Sequence, residues 1–211
     1  GWTISGGTAN ATSASSGTPL SQYIDVGKTY KITYDVVSLS QGAFQVDLSF
    51  SGTALGQLVT TTGTFTDFIT SINPALSIRA VGTTTGSITN VSAKEVGQDW
   101  TLGSGWSIGE DKAINDGNGG GIFPTPNSLT SGATVKFQVT ISDRTNGYIR
   151  IQNPSSTIYY VNNINTNGTF EYSFTTIDAN GWRIEAVSGF DGSIDNIVVQ
   201  ELKHDATNLM L

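Results

Sequence analysis

The chain has 211 residues, 13% of them charged, with no cysteine and a formal net charge of −7. That length accommodates one large or two ordinary domains. Disulfides and thiol chemistry are excluded, an acidic surface repels nucleic-acid phosphates, and no apolar run reaches the roughly 20 residues of a membrane helix.

Read from its start, the chain states a set of phrases and then states them again. Gly1-Trp2-Thr3-Ile4 returns as Gly105-Trp106-Ser107-Ile108. A Ser/Thr/Ala-rich stretch at 8–18 is replaced in the second pass by Asp116-Gly117-Asn118-Gly119-Gly120-Gly121. Gly27 with the alternating run Tyr30–Tyr34 matches Gly132 with Val135–Val139, and Gly42 matches Gly147. Gly63-Thr64-Phe65 matches Gly168-Thr169-Phe170, and Ile78–Val81 matches Ile184–Val187. GSITNVSAKEV at 86–96 closes the first pass and GSIDNIVVQEL at 192–202 the second. The offset drifts only from 104 to 106, so the match is global. The chain therefore divides into two tandem copies, 1–97 and 98–202, with a tail at 203–211.

Within each copy apolar residues recur at every second position. Phe44, Val46, Leu48 and Phe50 alternate with Ala43, Gln45, Asp47 and Ser49. Ile149 and Ile151 alternate with Tyr148, Arg150 and Gln152, and Phe170, Tyr172 and Phe174 with Glu171, Ser173 and Thr175. Period two specifies strands with one buried and one wet face, and turn residues separate the runs at short intervals. No stretch has a helical period. The predicted fold is all-β: two tandem antiparallel β-sandwich, jelly-roll-like domains.

The GW-[ST]-I opening, the sandwich strands and the G-S-I-x-N-[VI] closing phrase resemble the jelly-roll, carbohydrate-binding-module-like domains of tailed-bacteriophage virion proteins. Asp99–Ile114 and Lys203–Leu211 resemble stretches of the same tail-fibre or appendage proteins. The resemblance implies a non-enzymatic virion module. It would contact host surface polysaccharide or act as an architectural spacer or decoration against other virion proteins, with a homotrimer expected if it belongs to a fibre. Neither nucleic-acid binding nor membrane insertion is expected. The first copy lacks the lead-in strand that Asp99–Leu102 supplies to the second, and the chain opens without Met, which predicts that residues upstream are missing.

Candidate sites divide between function and packing. Trp2 and Trp106 have faces suited to stacking on a pyranose, but their place beside Ile4 and Ile108 in both copies favours the core. Trp182 is in phase with Ile184 and Ala186, and its partner in the first copy is Leu76, so it too is expected in the core. Tyr148, Arg150 and Gln152 share the polar phase of one strand. Gln138 holds that phase on the strand before, and Arg183 and Glu185 flank Trp182 on the opposite phase. These six make a candidate glycan-binding face, since planar multi-donor side chains suit sugar hydroxyls; the alternative is an ordinary solvated sheet face. The corresponding first-copy positions, Ala43, Gln45 and Asp47, are blander.

The first copy carries five acids against four bases and the second eleven against five. Such an excess can serve a calcium ion. The resemblance points to Asp195 on the last strand, with Asp111 or Glu110 from the opening strand, as ligands of a structural calcium; solvated surface acids are the alternative. The single histidine, His204, has no His or Cys companion, and the Gly-rich stretch lacks the Lys-Ser/Thr of a phosphate loop. No catalytic constellation is legible, and a non-enzyme is predicted.

Overall fold

The computed structural model describes residues 1–15, 19–49, 53 and 55–202; Phe50, His204 and the rest of the tail lie outside them. The protein is all-β, with two antiparallel β-sandwich domains in tandem, and no helix occurs among the described residues. It splits into two compact units, Gly1–Val96 and a second that starts at Gly97.

The first unit contains β1 (Trp2–Ser5), β2 (Thr8–Ala14), β3 (Leu20–Tyr23), β4 (Thr29–Asp47), β5 (Gly63–Thr70) and β6 (Ala75–Val96). They pair in the order β1-β2-β6-β4-β5, and β3 also pairs with β6. Two strands dominate: β4 has 19 residues and β6 has 22. Neither runs straight. Register shifts interrupt their ladder between Thr33 and Asp35, Val36 and Ser38, and again on both sides of Gln41. Bulges of this kind bend a strand and increase its twist. The bend turns the apolar phase of each half into a common interior: Ile32, Tyr34 and Val36 before it meet Phe44, Val46 and Leu48 after it in one buried cluster.

The second unit repeats the plan with β7 (Trp100–Leu102), β8 (Trp106–Gly109), β9 (Lys112–Asp116), β10 (Gly121–Pro124), β11 (Thr134–Gln152), β12 (Tyr159–Ile164), β13 (Gly168–Thr175) and β14 (Arg183–Leu202). Its order is β12-β11-β14-β10-β7, with β13 on β11, β9 on β14 and β8 on β9. By register β8, β9, β10, β11, β13 and β14 correspond to β1, β2, β3, β4, β5 and β6. The place of β12 is held in the first unit by two bridges, Phe44 to Val59 and Asp47 to Leu55, matching Ile149 to Ile164 and Gln152 to Tyr159. Only β7 has no counterpart among the described residues. Phe137, Ile149, Ile151, Ile184 and Phe190, all fully buried, form the centre of its core.

Several sequence expectations change in detail. Runs 135–139 and 149–151 read as separate strands but are the two halves of β11, since the polar residues between them sit on a bend and not in a loop. Trp106 and Trp182 are buried, and Trp2 packs on Phe44 with ring centroids 5.6 Å apart. Ile4, however, is 73% exposed, so its expected place in the core is wrong. The Gly-rich stretch is a pinned turn. The carbonyl of Gly120 accepts from the Trp106 indole N–H at 3.0 Å and from the Ala186 backbone at 2.9 Å.

The bend explains the matched glycines. Gly147 has φ +65° and Gly42 φ +74°. A Cβ on Gly147 would run into the Phe190 backbone and the Val187 carbonyl; on Gly42 it would strike Thr84. Both the left-handed backbone and the close approach require glycine. Gly147→Ala is expected to lower unfolding free energy by more than about 1 kcal/mol, read as a lower urea midpoint, with Gly42→Ala behaving alike.

Candidate functional site

After its bend β11 pairs with β14 so that Tyr148 lies opposite Val187, Arg150 opposite Glu185 and Gln152 opposite Arg183. Ile149, Ile151, Ile184 and Ala186, in the other phase, go to the core. The period-two pattern thus delivers five of the six predicted residues to one stretch of sheet face.

Four of them bond to one another. The Arg150 guanidinium grips Glu185 through Nε and Nη2, each 2.5 Å from Oε2. Arg183 Nη2 donates to the other carboxylate oxygen of Glu185 at 3.2 Å and to Gln152 Oε1 at 3.1 Å. Gln152 Nε2 donates to the Ser156 carbonyl at 2.9 Å. A carboxylate between two guanidiniums is a strong arrangement, because each contact is charge-assisted and the planar fork of arginine fits it. The side chains of Arg150 and Glu185 are about four-fifths covered, which reduces solvent screening. The guanidinium of Arg150 also lies over the ring of Tyr159, 4.1 Å from its centroid. Tyr159, on neighbouring β12, is 40% exposed.

The remaining predicted residues fall elsewhere. Gln138 is on the other side of the β11 bend, opposite Glu171 and Val198, and does not join the network. Tyr148 is half-buried on the same phase as Arg150. Asp195 stands opposite Thr140 and accepts from Asn196 Nδ2 at 2.9 Å. Asp111 is in the two-residue turn joining β8 and β9, where Glu110 and Asp111 take φ of 52° and 60°. No group of three or more His, Asp or Glu that could hold a metal occurs among the described residues. Nearby, Asp143 receives Lys112 Nζ at 3.1 Å and Ser193 Oγ at 2.8 Å.

The first unit is less bland than its sequence suggested. Arg79 Nη2 donates to Gln45 Oε1 at 2.8 Å, and Nη1 is 3.5 Å from Asp47, which is 3% exposed. By register Gln45, Asp47, Ser77 and Arg79 occupy the places of Arg150, Gln152, Arg183 and Glu185, so one polar patch is built twice with its charges redistributed. Sequence reasoning missed Arg79 and Tyr159. Arg79 was a lone cation in an apolar run, and only the pairing of β4 with β6 supplies its partners. The signal for Tyr159 was the Ile158-Tyr159-Tyr160-Val161 run, which was not read as a strand.

Neither a protein-family model nor a curated protein matches this chain.

Two outcomes are expected. Glu185→Gln leaves two guanidiniums facing each other with a neutral partner and should cost roughly 1–3 kcal/mol, measured by chemical denaturation. The second concerns acid. Ser193 and Lys112 hold the Asp143 carboxyl below its usual value, Thr64 and Asn90 do so for Asp35, and backbone N–H groups of Asn180 and Thr130 do so for Asp178 and Glu201. Each carboxyl binds its proton less readily folded than unfolded. Their contribution is therefore complete above the ordinary carboxylate range and drains as pH falls through it toward the lowered folded values. Melting temperature should hold steady from neutrality to about pH 5 and fall below about pH 4, with a shallower fall in Asp143→Asn.

Proposed function

We propose that this chain is a non-enzymatic virion protein of a tailed phage, of the tail-fibre or appendage kind, whose second sandwich contacts host-surface glycan. Its phage context comes from the resemblance of the repeated opening and closing phrases. The glycan reading is carried by one observation: Tyr159 is held against the Arg150 guanidinium while remaining 40% exposed. A tyrosine ring fixed in this way is a stacking platform for the C–H face of a sugar, and a cation below the ring adds stability without using up its edge. Tyr148 and the carboxylate of Glu185 lie along the same face to take up hydroxyl groups.

A second reading has its own support. Arg150, Glu185, Arg183 and Gln152 are bonded to one another, as suits an architectural module that acts through protein contacts. A glycan array on the isolated chain, with its mass in solution, separates the two. Glycan contact predicts saturable polysaccharide binding that weakens at least tenfold in Tyr159→Ala, in a chain that stays folded and loses only the stability of one exposed cation–π contact, about 0.5–1 kcal/mol. Absence of any glycan signal, together with a stable oligomer by light scattering, would establish the architectural reading. Arg150→Ala is the wrong probe, because it dismantles the network and confounds binding with stability.

A further inference from the structure

We infer that the outer edge of β3 in the first unit is a strand-accepting site, and that its occupant is an extended peptide with the chemistry of β7: a tryptophan and a leucine two residues apart. In the second unit β7 runs antiparallel along β10, placing Leu102 opposite Ile122, Thr101 opposite Phe123 and Trp100 opposite Pro124. Trp100 meets Trp182 edge-on, 5.8 Å between centroids, and both Trp100 and Leu102 pack against the core. Gly97, just before β7, lies against Ile108. In this unit Ile108, Ile197 and Val199 are all half-buried.

The first unit presents the same frame with that position open. Leu20 pairs with Ile78 as Ile122 pairs with Ile184, so β3 is the counterpart of β10. Among the described residues β3 pairs with β6 alone. The counterparts of those three half-buried residues are exposed here. Ile4, counterpart of Ile108, is 73% exposed; Val91, counterpart of Ile197, is 45% exposed; Ala93, counterpart of Val199, is exposed. Two cavities of about 680 and 500 Å³ adjoin along this edge, sharing Gln22, Leu76 and Val91 as walls. Leu76 occupies the place of Trp182, the residue Trp100 packs upon.

An unpaired edge offers a row of backbone donors and acceptors, and an apolar trough beside it offers pockets for alternate side chains. Carried over from the second unit, the register sets the donor's leucine opposite Leu20 and its tryptophan opposite Gln22, with both side chains entering the trough. The two copies thus act as each other's control: same frame, with the strand present in one and without a counterpart among the described residues of the other.

The test titrates the full chain into a fluorophore-labelled peptide of the sequence of residues 97–104, Gly-Gln-Asp-Trp-Thr-Leu-Gly-Ser, and reads anisotropy. Expected are saturable binding and at least a tenfold loss when the peptide tryptophan is alanine. The same loss is expected in Val91→Arg, which puts a charge at an exposed wall of the trough without touching the core. Val198→Arg, at an exposed residue of the second unit, should bind normally. No anisotropy change, or binding indifferent to Val91→Arg, would overturn the proposal. So would an oligomer of the unmodified chain that sedimentation shows dissociating in Val91→Arg, since a second copy would then be the occupant.

Discussion

Each half of this protein depends on one constraint: two long antiparallel strands must fold back over themselves while remaining paired. A straight ladder of 19 or more residues would present its apolar phase to water along its whole length. Bending at the bulges brings the two halves of that phase face to face, and hydrophobic burial then holds the bend closed. The sandwich is made by folding one paired ribbon, with the shorter strands added along its borders. Gly42 and Gly147 sit where the fold is sharpest and where no side chain fits.

This origin explains which parts of the structure were legible beforehand. Alternation in Phe44–Leu48 and Ile149–Ile151 identified the buried phase, because period two follows from strand geometry alone. Tandem similarity located both units. The bend itself was hidden, since the residues that make it, such as Ser142 to Asn146, look in sequence like any polar loop between strands. Ile4 was misplaced for a related reason. Its phase is right for burial, but burial also needs a covering element, and the segment that lies against Ile108 has no counterpart among the described residues of the first unit.

The candidate face was legible as a set of residues and not as a network. Phase alone placed Tyr148, Arg150, Gln152, Arg183 and Glu185 together, because facing strands of one sheet share their periodicity. Which of them would bond to which depended on register, and register is fixed by turns and bulges that one sequence does not reveal. Gln138 was drawn in because it shares phase with Arg150, but the bend in β11 separates them. Tyr159 came from a segment whose partner strand could not be named in advance.

The redistribution of charge between the two polar patches has a consequence for how a duplicated chain reaches its native state. Neighbouring domains of similar sequence are prone to exchanging strands while they fold. Were β11 to zip onto β6 in place of β14, Arg150 would stand across from Arg79, two guanidiniums without a carboxylate between them. Like charges directly opposite destabilise a strand pair. Divergence at Arg79 and Glu185 therefore penalises the pairing of β11 with β6, which the shared apolar phase alone would accept.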